Sequence, residues 1–305
     1  MTNAITRRFV KVGGRIVHYR VAGKGPVVLL VHQSPRSSAE YAGLMSDLAD
    51  RYTVVAPDNP GNGLSGALPD GRRTIEHYGD ALAAFLTAIG VKRVLLYGFH
   101  TGAAIGLAFA ARHPDRTGVA VLNGIPVSDP GKVDAHVSSY LTPFTPVWDG
   151  SHLAWTWARL REQTIFYPWF SNEDPDRVAF APPHGDGMFE ACLEFLRAGD
   201  AYRHAYEAAF RTPTQRLVRA LNAPAVVISA RWDPLFGEME ALNVPDGVER
   251  ARLGQDRAEV APLIDHWFAR HAGAVDSDLP AEPGAERGFS GDVFWRHTSG
   301  AGRPL

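Results

Sequence analysis

The segment Gly98-Phe99-His100-Thr101-Gly102 constrains the fold of this chain more than any other. It follows an apolar run, Val94 to Tyr97, with the character of a buried strand. It precedes an alanine-rich stretch that reads as a helix to about His113, where Pro114 stops it. A chain that passes from strand to helix this abruptly needs residues without bulk on either side of the apex, and Gly98 and Gly102 supply that. The apex residue is His100. It is expected in a strained backbone conformation, raised above a sheet, next to a helix N-terminus that favours negative charge.

The surrounding pattern is consistent with such a sheet. Residues 8–22 read as two short strands joined at Gly13-Gly14. Val27 to Val31 and Tyr52 to Ala56 read as further strands, with a helix over Ser38 to Leu48 between them. Ile75 to Ile89 reads as a helix with Thr74 as N-cap and Gly90 just past its end, and Val119 to Leu122 as the strand after the elbow helix. Strands alternating with helices predict an α/β fold, a mostly parallel sheet covered on both faces, with a site at the carboxyl ends of the strands. The alternation stops at about Pro126. Residues 127–222 are helical, irregular and rich in aromatics. Pro224 to Ala230 is a clean strand again, Val248 to Leu253 a weaker one, and Val260 to His271 a closing helix. The expected organisation is a core over residues 1–126 and 223–271, an inserted helical cap over 127–222, and an extension over 272–305. That extension is read as a linker followed by a docked segment or a disordered tail.

Composition narrows the function classes. Of 305 residues, 45% are hydrophobic and 21% charged, with a formal net charge of -2, which suits a soluble globular protein. Neither nucleic acid nor a membrane is expected as a partner. No apolar window is long enough for a membrane span and the first twenty residues carry no signal-like stretch, so a cytoplasmic location is expected. The single cysteine, Cys192, lies in the apolar run Met188 to Leu196 and reads as a core residue. There is no H-E-x-x-H, no cysteine pair and no tight His/Asp cluster, so no metal site is expected. Gly61-x-Gly63 lacks the third glycine and the strand–helix context of a dinucleotide site, and no cofactor is expected. The expected partner is a small-molecule substrate; a homodimer is allowed.

Over residues 10–271 the chain resembles the α/β-hydrolase superfamily. Val31-His32-Gln33-Ser34-Pro35 stands where that family has its H-G-x-P oxyanion loop, and Asp58 to Ser65 resembles its D-x-x-G-x-G-x-S loop. The elbow follows, then Arg112-His113-Pro114-Asp115-Arg116, then the cap. Ser229-Ala230-Arg231-Trp232-Asp233 comes where the family places its acid. Two departures matter. His100 holds the nucleophile's position. The family's base histidine should follow the last strand, where this chain reads Leu253-Gly254-Gln255-Asp256-Arg257. His266 lies in the closing helix and is a poor substitute. The serine–histidine–acid relay therefore cannot be assembled from the expected positions.

An imidazole titrates near pH 6.5 when unperturbed and needs no separate base to be nucleophilic, so His100 can act as a general base or as a nucleophile. Asp233 is the expected partner that orients it, ahead of Asp129, because strand Ala225–Ala230 leads directly into Asp233. The amides of Thr101 and Ser34 are the expected oxyanion donors. Gln33, Arg36, Phe99 and Trp155 are candidate substrate contacts, and His136, His152, His184 and His204 in the cap could supply a base. The leading reading is a cofactor-independent hydrolase of a small, largely apolar ester, lactone or related carbonyl compound. Two alternatives stay open: a C–C bond hydrolase, lyase or decarboxylase using His100 as base, and a non-catalytic small-molecule binding protein.

Overall fold

The computed structural model describes residues 4–171, 173–178, 181–280, 286–290 and 293–297. Its centre is an eight-stranded sheet in the order β1-β2-β4-β3-β5-β6-β7-β8. The strands are β1 (Thr6–Val12), β2 (Arg15–Ala22), β3 (Val27–Val31), β4 (Thr53–Pro57), β5 (Val94–Phe99), β6 (Thr117–Asn123), β7 (Ala225–Ala230) and β8 (Val248–Leu253). β1 with β2 and β2 with β4 are antiparallel; every other pair is parallel. The inner strands β3, β4, β6 and β7 are buried along their whole length, as continuous Val/Leu/Ile/Ala runs between two helical layers must be.

Two cores lie on either side of the sheet. On one face α2 (Ile75–Ala88) and α3 (Thr101–Arg112) bury Tyr78, Leu82 and Phe85 with Ile105, Leu107 and Phe109. On the other, α1 (Ala42–Leu48) and α10 (Val260–His271) bury Met45 and Leu48 with Ile264, Trp267 and Phe268. The alanine richness of α3 has a packing cause. Residues 101–110 are all buried, between the sheet and α2, so the alanines and glycines allow close approach while Ile105, Leu107 and Phe109 fill the remaining space.

Between β6 and β7 the described chain holds only helices: α4 (Val133–Tyr140), α5 (Ser151–Gln163), α6 (Gly185–Ala198), α7 (Tyr202–Phe210), α8 (Thr214–Arg219) and short 3₁₀ turns. Tyr140, Phe144, Phe195, Tyr202, Tyr206 and Phe210 form an aromatic core of their own, joined by Cys192. The alanine face of α7 and the residues Leu217 and Val218 of α8 are instead buried with α2 and α3. One helix, α9 (Phe236–Ala241), lies after β7 where the sequence gives only the turn-forming Asp233-Pro234. Among the described residues no helix is long and apolar enough to cross a membrane.

Residues 275–280 cross the amino ends of the strands, far from the elbow. The Val27 amide donates to the Asp276 carbonyl at 2.8 Å, and the Asp276 amide donates to the Arg93 carbonyl at 3.1 Å. The Lys92 amide donates to the Asp276 carboxylate at 2.6 Å, and the Thr53 hydroxyl to Asp278 at 2.7 Å. Beyond them, β9 (Glu286–Ser290) and β10 (Val293–His297) pair as an antiparallel hairpin. Residues 281–285, 291–292 and 298–305 of the expected extension lie outside the described residues.

The approach of α2 to α3 gives a test with opposed signs. A Cβ on Gly79 would lie 2.8 Å from the Phe109 amide nitrogen, whereas a Cβ on Gly43 of α1 meets nothing within 4 Å. Alanine favours a helix by up to about 1 kcal/mol over glycine, but separating two packed helices costs about 1–3 kcal/mol. Thermal unfolding should show Gly43→Ala raising Tm and Gly79→Ala lowering it by several degrees. A rise in both would mean that α2 and α3 give way more easily than their packing implies.

Candidate active site

His100 is the one described non-glycine residue with positive φ (48°, with ψ −113°). Such a conformation costs of order 1–3 kcal/mol and persists only where the surroundings impose it. Here they do. The His100 amide donates to the Asn123 carbonyl at 3.0 Å, and its carbonyl accepts from the Ala104 amide at 3.0 Å, opening α3. A Cβ on Gly98 would lie 2.3 Å from the Gly102 carbonyl oxygen, and one on Gly102 would lie 1.8 Å from the Val31 carbonyl oxygen. Both glycines of the elbow are therefore required by backbone contact, as the sequence motif demands.

The imidazole leans across the carboxyl end of β6 toward the end of β7. Its Nε2 lies 2.7 Å from Oδ2 of Asp233, whose other oxygen accepts the Leu235 amide at 2.8 Å. The Asp233 side chain is 1% exposed and that of His100 24%. A carboxylate can only accept, so Nε2 is the donor of this bond, and Nδ1 is the ring nitrogen not engaged by Asp233. Asp129, the alternative acid, is taken up elsewhere, accepting the Gly131 amide at 2.8 Å.

The Phe99 ring stacks on the imidazole, with centroids 3.9 Å apart and planes 24° apart. Gly124 completes the setting. A Cβ there would fall 2.6 Å from Cδ2 of His100 and 2.9 Å from Oδ2 of Asp233. Only a glycine leaves room for the pair to meet. Gly124 is a residue that reading the elbow alone misses, although its place at the end of the strand beside the elbow is a usable signal.

The loop after β3 forms the other wall. His32 is fully buried. Its Nδ1 donates to the Gln33 carbonyl at 2.7 Å while its Nε2 accepts the Asn59 amide at 2.7 Å. Burial pushes its pKa down, so a neutral imidazole braces the loop. The Gln33 amide donates to Glu40 at 3.2 Å, and burial pushes the Glu40 carboxyl up to about 7. Asp58 ties this region to the rest of the sheet. It lies 2.8 Å from Nδ1 of His18, and it accepts the Ser38 amide and the Leu64 amide at 2.8 Å each. Burial alone would raise its pKa, but these donors hold it well below the ordinary carboxylate range. Within the elbow, Ala104 is the first amide of α3 to bond back, so the Thr101 amide has no helical acceptor.

A cavity of about 390 Å³ opens above these groups, a size suited to a small molecule. His100, Phe99, Thr101, Gln33, Ser34 and Arg36 all line it. Trp155 does not; it packs against Phe144 and Phe195 within the cap. None of His136, His152, His184 and His204 lines the cavity. His136, for example, lies edge-on to Phe210, and His204 is bonded to Arg73 at 2.9 Å. Arg36 is paired with Glu194 of α6, which also accepts the Ser37 amide at 3.0 Å. Glu194 stands 158 residues from Arg36 in sequence, and nothing local to α6 signals the pair.

Arg257 forms another part of the wall. It follows β8, lines the cavity, and lays its guanidinium 4.5 Å over the Trp232 ring. Burial lowers its pKa, opposed by the charge of Asp233.

Known proteins agree with this architecture. The profile described as alpha/beta hydrolase fold matches residues 26–164. A cis-3-alkyl-4-alkyloxetan-2-one decarboxylase from Shewanella oneidensis is 35% identical over 113 residues, 36% of this chain and 36% of that one. A 2-(acetamidomethylene)succinate hydrolase from Mesorhizobium japonicum is 33% identical over 111 residues, 36% of this chain and 39% of its own. These matches thus span well under half of either relative. Solved structures align over most of the chain. Epoxide hydrolase A from Mycobacterium thermoresistibile superposes with a TM-score of 0.68 at 20% identity, covering 91% of this chain and 100% of that one. The enol-lactonase from Burkholderia xenovorans LB400 superposes with a TM-score of 0.63 at 19% identity, covering 86% and 98%. With its sheet order, its strand–elbow–helix turn and these likenesses, the chain has the α/β-hydrolase fold.

Proposed function

We propose that the protein is a cofactor-independent hydrolase of a small, mostly apolar ester, lactone or related acyl compound, with His100 as general base. The observation that carries this reading is the His100–Asp233 hydrogen bond, which leaves Nδ1 as the ring nitrogen not engaged by Asp233, on a residue of the cavity wall. In a serine relay two residues share this work, a nucleophile at the elbow and a histidine held by the acid. Here one imidazole spans from the elbow to the acid.

The chemistry balances without a further group. Nδ1 accepts a proton from a water molecule as the water oxygen attacks the acyl carbon. The carbonyl π electrons move to oxygen, where the amides of Thr101 and Ser34 receive the charge. Asp233 stabilises the imidazolium. Collapse of the tetrahedral intermediate expels the alkoxide, which takes the proton back from Nδ1. Direct attack by Nδ1 would instead give an acyl-imidazole, and an activated ester favours that route more than an alkyl ester does.

Hydrolysis of p-nitrophenyl butyrate by the full chain tests the assignment. His100→Ala should lower kcat/KM by about three orders of magnitude or more, and Asp233→Asn by about 10²–10⁴-fold through loss of the correct tautomer, as in related dyads. Intact-protein mass spectrometry during turnover should show no acyl adduct; an adduct on His100 would replace the base with a nucleophile. A folded wild-type chain with no turnover of activated esters would overturn the ester-hydrolase reading and leave the lyase and binding-protein readings.

Gly124→Ala probes the contact itself. The added methyl should push the imidazole off Asp233, lowering kcat at least tenfold while KM changes little; Tm should also fall, because Gly124 has φ +63° and an alanine there is strained. Unchanged kcat would mean the hydrogen bond is not part of the rate-limiting step.

A further inference from the structure

Arg159 of α5 is 1% exposed, among the largest fully buried side chains of the molecule. Its guanidinium sits in a cage of four rings, 5.7 Å from Tyr140, 5.1 Å from Trp169, 5.4 Å from Phe195 and 5.3 Å from Tyr202. Its Nη1 donates to Oε1 of Gln163 at 2.8 Å. Its Nε and Nη2 are buried and make no hydrogen bond. Among the described residues no carboxylate lies within ion-pairing distance of it. Ring faces attract a cation but do not neutralise it, and an unpaired buried charge is expensive. Among the described residues, the positive charge inside the cap thus has no counter-charge of its own.

The orientation of Gln163 connects that charge to the cavity. Because the cation can only lie against the amide oxygen, the NH₂ end points the other way, and it donates to the Tyr206 hydroxyl at 3.1 Å. Gln163 and Tyr206 both line the cavity. The Tyr206 oxygen accepts from Gln163, so its own proton remains to be donated. The cap wall therefore offers hydrogen-bond donors, with a full positive charge one side chain behind them. The other cavity cations are differently engaged: Arg36 is paired with Glu194, and Arg257 leans on Trp232.

We infer that the ligand of this cavity carries a carboxylate, and that its anionic end docks on the cap wall at Gln163 and Tyr206, answering the charge of Arg159. This deepens the hydrolase reading, on which it rests for the acyl end of the ligand. The substrate class becomes an acyl compound with an apolar body and a carboxylate remote from the reacting carbonyl. A neutral ligand of the same shape would leave Arg159 uncompensated.

Binding at equilibrium tests this apart from turnover. Isothermal titration of the full chain with 4-phenylbutyrate and with its uncharged isostere 4-phenylbutanamide should give the acid an affinity at least about tenfold higher, as hydrogen bonds to a charged group predict. Arg159→Met, which keeps the bulk, should bring the two affinities within about twofold of each other, while Arg257→Met should preserve the preference. Gln163→Glu should place the missing carboxylate on the cation from within, raising Tm and abolishing the preference. Equal affinities in the wild type, no binding of either compound, or loss of the preference in Arg257→Met alone would each overturn the inference. An esterase without acid preference would fail this proposal and keep the catalytic one; acid preference without any turnover would do the reverse.

Discussion

The amino end of α3 rests on the backbone of β3 and the loop after it, with no space for even one methyl group at Gly102. Everything at the site follows from that backbone contact. It forces the strand-to-helix turn into five residues and holds His100 in a conformation that side chains rarely adopt. It also puts Thr101, at the start of α3, on the cavity wall that includes Ser34. Bracing of this loop by neutral His32 and by the hydrogen bonds of Asp58 keeps the second wall in register with the first. The strain at the apex is thus carried by many hydrogen bonds rather than by one.

Much of this was legible in the sequence because it is local. Apolar runs of four to six residues alternate with helical patterns, and the elbow glycines act on residues four apart. Asp233 was also within reach, since a clean strand leads into it. The failures share a different cause. Trp155 looked like a pocket residue because aromatics in a cap suggest a pocket. Its ring is instead used to pack Phe144 and Phe195, a matter of which helix face meets which, and that is decided by tertiary contacts. Glu194, Arg257 and Arg159 carry charge into the interior from positions that look like ordinary surface residues in sequence. α9 is six residues long, too short for a periodic signal.

The arrangement of charge inside the molecule is uneven. On the sheet side three charged groups are answered within the protein: Asp233 by His100, Asp58 by His18, and Arg36 by Glu194 across the junction with α6. The cap side has Arg159 in its aromatic cage. A buried cation surrounded by rings fixes the packing of Tyr140, Phe195 and Tyr202 around it. It also orients Gln163, so the cap core and the cavity wall are specified by the same side chain.

Arg257 bears on what a single substitution could do at this site. A relay of serine, histidine and acid needs both an elbow hydroxyl and an imidazole after the last strand. This chain has an imidazole at the first position and a guanidinium at the second. Changing His100 alone to serine would give a hydroxyl with no base beside it. Changing Arg257 alone to histidine would add an imidazole where Asp233 is already engaged. Neither single step leads to a working serine enzyme. At least two substitutions therefore separate this arrangement from a serine relay on the same fold.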